Sequence, residues 1–390
     1  MTVADATDEE ALVYLDHNAT TPVLPEVAEA VTRALRDAWG NPSSAHVFGR
    51  RARRALEESR ERVAALLDCR PSEVVFTSGG TESSNLAIRG IAEASSPDRR
   101  RIVTSAIEHP ATLEPCRWLA EHGWSVVHLP SDREGRVALD ATDEAIDTST
   151  ALVSVMHANN ETGVMQPVAA LAERAHARGA VVHVDAAQSV GKVPVRVAVL
   201  GADLLSVAGH KLYAPKGVGA LFVRDGLSLR PFALGAGHER GIRPGTENVP
   251  GIVGLGVACA IAARDLERES VRVAGLRDRL WSLLGASVPG LALHGGGAER
   301  LPNTLSVRFP SVAGSGVLAG APEVAASTGA ACHDGGEHAS RVVLAMGVPE
   351  TEAIGTVRLS LGRSTTADDV DRAARSLARS WTRLRSRTIG

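Results

Sequence analysis

Short apolar runs alternate with stretches of helical periodicity through the middle of the chain. Val74–Thr77, Arg101–Ser105, Ser125–Leu129, Ala151–Met156, Val181–Asp185, Leu204–Val207 and Ala220–Val223 read as strands. Between them, Glu82–Glu93, Ala111–His122 and Val168–Gly179 carry apolar residues at helical spacing. Apolar strands separated by helices predict an α/β fold, a mostly parallel seven-stranded sheet covered by helices on both faces. Past about residue 260 the texture changes. A long amphipathic helix (Gly256–Ala286), two shorter strands (Leu305–Phe309 and Val357–Leu361) and a closing helix (Ala367–Arg387) predict a smaller α+β unit. In the closing helix Ala374, Leu377, Trp381 and Leu384 recur at helical spacing, and the arginines mostly lie elsewhere, as on a solvated face. The expected division is a polar tail over residues 1–12, a large unit over 13–260 and a small unit over 261–390.

Composition narrows the function class without naming it. The 390 residues are 44% apolar and 22% charged, with a net charge of -3, an ordinary globular profile with no electrostatic footprint for nucleic acid. No uninterrupted apolar run reads as a membrane span, and the N-terminus carries no basic-then-apolar signal. Cys69, Cys116, Cys259 and Cys332 are widely separated, with neither a CxxC pair nor zinc-like spacing, so no metal site and a reducing, cytoplasmic location are expected.

Candidate chemistry gathers where the strands end, the edge at which open α/β sheets bind ligands. Asp185 closes one strand, and Gly209-His210-Lys211 follows the next. Only three of the 42 basic residues are lysines: Lys192, Lys211 and Lys216. Schiff-base chemistry needs an amine that can lose its proton, which arginine cannot supply. Pyridoxal phosphate (PLP) also needs a carboxylate opposite its pyridine nitrogen, so that the ring can draw electrons. Lys211 and Asp185 fit those two roles, although either motif alone is common at a strand end.

The surrounding turns strengthen the pair. Thr77-Ser78-Gly79-Gly80-Thr81-Glu82 joins a strand to a helix, where Gly80 and Thr81 can cradle a phosphate; read alone, it is equally a capped helix start. His109 is placed to stack on a flat ring and handle protons. In Met156-His157-Ala158-Asn159-Asn160 a buried asparagine needs partners, which a carboxylate or ring oxygen would supply, and Gln188, three residues after Asp185, can reach a ring hydroxyl; each alone is more often an ordinary loop residue. Cys332 sits in a small, polar stretch bounded by Gly329 and Gly335-Gly336, which favours a nucleophilic thiol over the usual small buried hydrophobe. Arg358 offers a two-pronged grip for a substrate carboxylate.

In order along the chain stand Tyr14-Leu15-Asp16-His17-Asn18-Ala19-Thr20-Thr21-Pro22, SGGTES, EHPAT, MHANNETG, HVDAAQSVGK, GHK, RPGTEN (Arg243–Asn248), GAAC and RLSLGR. This series, spanning about residues 13–387, resembles the cysteine desulfurases of the NifS/IscS type, class V enzymes of fold-type I that depend on PLP. The resemblance implies that Lys211 carries the cofactor, Asp185 pairs its ring nitrogen and His109 stacks on the ring. It also implies that Gly80, Thr81 and His210 hold the phosphate, together with Thr246 from the neighbouring subunit of a homodimer. Asn160 and Gln188 match residues near the substrate carboxylate and ring hydroxyl, Arg358 the carboxylate arginine, and Cys332 the persulfide-forming cysteine of the C-terminal unit. The implied reaction takes L-cysteine to L-alanine and passes sulfur through Cys332 to an acceptor protein. Iron–sulfur assembly, tRNA thiolation, sulfur modification of DNA and cofactor synthesis are all open as destinations. One feature departs from the pattern, and another widens the choice of substrate. Family members often carry serine where Ala208 stands, so one hydroxyl contact to phosphate is missing. The GAAC and RPGTEN segments also resemble selenocysteine lyases, which leaves L-selenocysteine as an alternative substrate.

Overall fold

The computed structural model describes residues 12–329 and 339–388. The chain opens with β1 (Val13–Tyr14) and the helices α1 (Pro25–Asp37) and α2 (Val47–Leu67), neither of which the periodicity picks out. Next come β2 (Val74–Thr77), α3 (Gly80–Ala94), β3 (Arg101–Ser105), α4 (Pro110–Glu121) and β4 (Ser125–Leu129). They are followed by β5 (Thr150–Met156), α5 (Val168–Ala177), β6 (Val181–Asp185), β7 (Leu204–Ala208) and β8 (Gly219–Val223). These strands form one seven-stranded sheet in the order β2-β8-β7-β6-β5-β3-β4. β8 pairs antiparallel with both of its neighbours, and every other pairing is parallel. All strands except β8 therefore end on the same edge.

The alternation of side chains along each strand divides the interior into two layers. Val103, Val153, Val182, Val184 and Leu205 face one core with Leu171 of α5. Ile102, Leu152, Leu204 and Leu221 face the other with Leu86 and Ile91 of α3 and Leu119 of α4. One buried histidine interrupts the second layer. His183 lies between Ser154 Oγ and Ser206 Oγ, at 2.8 Å from each, and Ser84 Oγ of α3 donates to Ser206 Oγ at 3.3 Å. Burial lowers its pKa to about 4, so the ring stays neutral and satisfied by hydroxyls.

Helix α6 (Val249–Ser287) is 39 residues long and begins before the expected Gly256. The Asn248 side chain accepts from Gly251 N at 3.2 Å, and Pro250 occupies the first turn, which suits a helix start. Gly256 makes the sequence read as a break, yet a Cβ there would stand 2.7 Å from Ser59 Cβ; the glycine lets α6 lie close against α2. By length and composition α6 could cross a bilayer, but 61% of its most apolar window is buried inside the fold. Ile252, Leu255, Ala258 and Ile261 serve the first core, and Val273, Leu280 and Leu284 serve a further one.

That further core belongs to the later strands. β9 (Ala292–Leu293), β10 (Thr304–Arg308) and β12 (Thr356–Ser360) form an antiparallel sheet, while β11 (Val324–Ala325) pairs with β1. The two predicted strands appear one residue earlier than expected, as β10 and β12. Helix α7 (Ala367–Thr388) covers this core with Val370, Ala374, Leu377 and Trp381. Val13 and Leu15 pack here as well, so the start of the chain joins the late core and the segment after it returns to the strand ends of the large sheet.

Candidate functional site

Five turns leave the common strand edge beside one another: Thr77–Gly80, Ser105–His109, Met156–Glu161, Asp185–Gln188 and Ala208–Lys211. Together with residues 18–20, Arg358 and the stretch 339–342 they enclose a cavity of about 1110 Å³. Gly80, Thr81, His109, Asn160, Asp185, Gln188, His210, Lys211 and Arg358 all line it. The sequence-predicted set is thereby brought together, with two exceptions. Thr246 is exposed and is not part of the cavity wall. Cys332 lies outside the described residues.

The glycine turn is built to let backbone come close. Gly219 in β8 passes beneath it, where a Cβ would sit 2.7 Å from Gly79 Cα. A Cβ on Gly80 would stand 3.2 Å from Ala208 Cβ, closing the space between the turn and β7. No side chain caps the start of α3, so its first amides point free, as an anion-binding helix start requires. On the far side, the motif at the chain start grips the GHK turn. Thr21 donates to the His210 carbonyl at 2.9 Å, and His210 Nδ1 meets Thr20 Oγ1 at 3.2 Å. Burial, helped by the charge of Lys211, lowers the His210 pKa to about 4.

Asp185 is 7% exposed, and its Oδ1 accepts from Ala187 N at 2.9 Å. Burial pulls the Lys211 amine below the ordinary lysine range, Arg358 pulls the same way, and Asp185 opposes. His109 caps α4 by accepting from Ala111 N at Nδ1, 3.1 Å away. Burial, with Lys211 nearby, lowers its pKa, which keeps the imidazole neutral.

Arg358 reaches the cavity from β12. Its Nη2 donates to Asp16 Oδ1 at 2.6 Å and its Nη1 to the Asn160 carbonyl at 3.1 Å, while Nε is buried without a partner. That orphan donor is the kind of group a ligand carboxylate would satisfy. The adjacent Asn159 is structural: its Oδ1 accepts from Glu161 N and Thr162 N at 2.9 Å each, and its Nδ2 donates to the Ile107 carbonyl.

Three polar residues of the site carry no role in the sequence reading. Asn18 joins the two halves, donating to Thr304 Oγ1 at 2.9 Å and to the Asn160 carbonyl at 3.2 Å. Glu161 accepts from Ser340 Oγ, and burial raises its carboxyl to about 7 despite Arg358 and Arg341 nearby. Glu108 is 3% exposed; its Oε1 accepts from Ser105 Oγ at 2.5 Å and Met156 N at 3.0 Å, while Oε2 is buried without a partner. Burial first, then the Asp185 charge, raises Glu108 to about 8. The one available signal was adjacency: each glutamate directly follows or precedes an assigned residue.

A family model described as aminotransferase class-V matches residues 13–373. The chain belongs to the class-V aminotransferases. A cysteine desulfurase of Trichormus azollae is 44% identical over 378 residues, covering 96% of this chain and 94% of the relative. Among solved structures, a NifS-like protein superposes with a TM-score of 0.89 at 38% identity, covering 95% of this chain and 99% of that one. SspA in complex with cysteine matches with a TM-score of 0.80 at 35% identity, covering 89% of this chain and 98% of that one. The seven-stranded sheet with its helices is thus the NifS-like arrangement of this family. The cavity residues fit PLP on their own chemistry: a glycine cradle at a helix start, a buried carboxylate, a half-buried amine whose proton is easier to lose than an ordinary lysine's, and an arginine with an unmatched donor.

Proposed function

We infer that this class-V aminotransferase is a PLP-dependent L-cysteine desulfurase that passes substrate sulfur to Cys332. The observation that carries the reading is the meeting of Lys211, Asp185 and Arg358 on one cavity with the Gly79–Thr81 turn. Gly80, Thr81 and His210 would hold the phosphate, Asp185 the ring nitrogen, Gln188 the ring hydroxyl, and His109 a ring face. When bound, PLP supplies an electron sink for charge developing at the substrate Cα.

The chain's own groups do the rest. Arg358, with Asn160 beside it, holds the substrate carboxylate and so fixes which bond faces Lys211. The Lys211 amine, whose burial makes its proton easier to lose, takes the Cα proton and can return it. The Cys332 thiolate attacks the substrate sulfur: an S–S bond forms, the C–S bond breaks, and its electron pair stays with the carbon that becomes the alanine methyl after protonation. Sulfur leaves at the oxidation level of a persulfide, ready for a thiol of an acceptor protein. The other cysteines are poor candidates, because burial pushes the thiols of Cys69, Cys116 and Cys259 up to about 12. Thr246, exposed beyond the cavity, suits donation to a second copy in a homodimer, and the thiol chemistry suits the reducing cytoplasm.

The test is alanine release with L-cysteine and with L-selenocysteine, by wild type and by Cys332→Ser. Loss of alanine from cysteine with cofactor absorption intact supports the assignment. Full cysteine activity in Cys332→Ser sinks the persulfide route, and selenocysteine activity alone in the wild type moves the function to a lyase.

A further inference from the structure

Lys192 is one of only three lysines in the chain and carries no role in the site as described. It lies beyond β6, and its Nζ donates to Gln188 Oε1 at 2.8 Å and to Asn18 Oδ1 at 3.3 Å. Both partners are amide oxygens. Burial, with the charges of Lys211 and Arg358, pushes this amine well below the ordinary lysine value. Among the described residues no carboxylate contacts this half-buried amine, so an anion beside it would complete its charge.

Gln188 shows where that anion belongs. Lys192 Nζ donates to Gln188, which therefore turns its amide oxygen toward Lys192. Its Nε2 then donates to the Asn18 carbonyl at 3.0 Å. The amide nitrogen keeps one hydrogen for another acceptor, and Gln188 stands in the cavity wall. Lys192 and the Asn18 carbonyl thus hold the two ends of the amide from opposite sides, and removing Lys192 leaves the Asn18 carbonyl alone to keep the nitrogen in place.

We propose that Lys192 is a positioning residue for the ring oxygen of PLP: together with the Asn18 carbonyl it holds the Gln188 amide nitrogen toward that oxygen, and it sets a cation behind it. The inference rests on the PLP reading above. An ionised ring oxygen favours the charged amine, and the amine favours the ionised oxygen, so each stabilises the other. The other titratable groups around Lys192 are Lys211, Arg358, His17 and His210. Both histidines are held neutral by burial, with pKa values lowered to about 4, so they do not replace its charge.

The test compares wild type, Lys192→Met, Lys192→Arg and Gln188→Ala, each with its apoprotein melt recorded to establish folding. PLP titration of folded Lys192→Met should show affinity weaker by about ten- to a hundredfold, the value of a hydrogen bond next to a charge. The pH at which the bound cofactor's visible band changes should rise, because losing a nearby cation favours protonation of the nitrogen joined to Lys211. Lys192→Arg should recover part of both effects, and Lys192→Met should cost less in a Gln188→Ala background than alone. Wild-type affinity and band in folded Lys192→Met overturn the proposal. So does an equal cost in the Gln188→Ala background, or a folded arginine variant as weak as the methionine one. A wild-type protein that takes up no PLP at all sinks the functional reading as well, which separates the two failures.

Discussion

Glu108→Gln should make the protein more stable, and increasingly so as pH rises. Glu108 is 3% exposed, and burial, reinforced by the Asp185 charge, raises its carboxyl from 4.5 to about 8. The native state therefore keeps a proton that the unfolded chain gives up. A raised native pKa means that the group's contribution is fully present below 4.5 and lost as pH climbs through 8. At about 1.4 kcal/mol per pKa unit, the loss totals roughly 5 kcal/mol above pH 8 and about 3 kcal/mol at pH 7. Glutamine reproduces the protonated acid: its oxygen still accepts from Ser105 Oγ and Met156 N, and nothing titrates. Urea unfolding of wild type and Glu108→Gln at matched pH between about 5.5 and 9 isolates the term, because all other ionisations cancel in the difference. The gap should widen by about 3 kcal/mol across that range and flatten above pH 8. Parallel stability curves would refute the reasoning, since they would mean that Glu108 titrates alike in the folded and unfolded chain.

Two further outcomes follow from the site. Lys211→Ala should leave no borohydride-reducible adduct with PLP, because Lys192 Nζ is engaged by Gln188 and Asn18 and Lys216 is exposed; mass mapping that places a reduced adduct on either of those lysines would overturn the assignment. Ala208→Ser should tighten PLP binding about fivefold, the value of about 1 kcal/mol for one added hydroxyl contact, as the position lines the cavity beside Gly80; unchanged affinity by cofactor titration would show that the serine hydroxyl finds no phosphate oxygen.

The large sheet was legible because its signal is local. Strands buried on both faces are largely apolar, as in Val74–Thr77, Arg101–Ser105 and Val181–Asp185, and these three, with the more exposed edge strand Ser125–Leu129, appear with the expected bounds. Asp185 and Lys211 were legible for a related reason: parallel strands deliver their following turns to one edge, so residues distant in sequence meet without any long-range information. Helices α1 and α2 escaped because α2 is dense in arginine and glutamate, and its apolar stripe of Leu56, Val63 and Leu67 is narrow among them. The start of α6 escaped because Pro250, Gly251 and Gly256 look like breakers until the contact with Ser59 is seen.

The unread part of the site depends on contacts that no local pattern encodes. Asp16 binds Arg358 across 342 positions of chain, and Asn18 reaches Thr304 across 286. Both contacts exist because β1 enters the late core beside β11, which returns residues 16–20 to the strand ends of the large sheet. The cavity is consequently a junction of two cores, with Asn18 tied to Asn160 on one side and to Thr304 and Ser360 on the other. That arrangement also accounts for the charges the sequence left unassigned. Where the two cores pack together a carboxyl such as Glu108 is shielded from water and is held toward its neutral form, and an amine such as Lys192 at the same seam is destabilised in its charged form until a ligand or neighbour supplies the opposite charge. The pattern of hydrophobic positions says where such a junction can form; which polar atoms it leaves unmatched is decided only when the two cores meet.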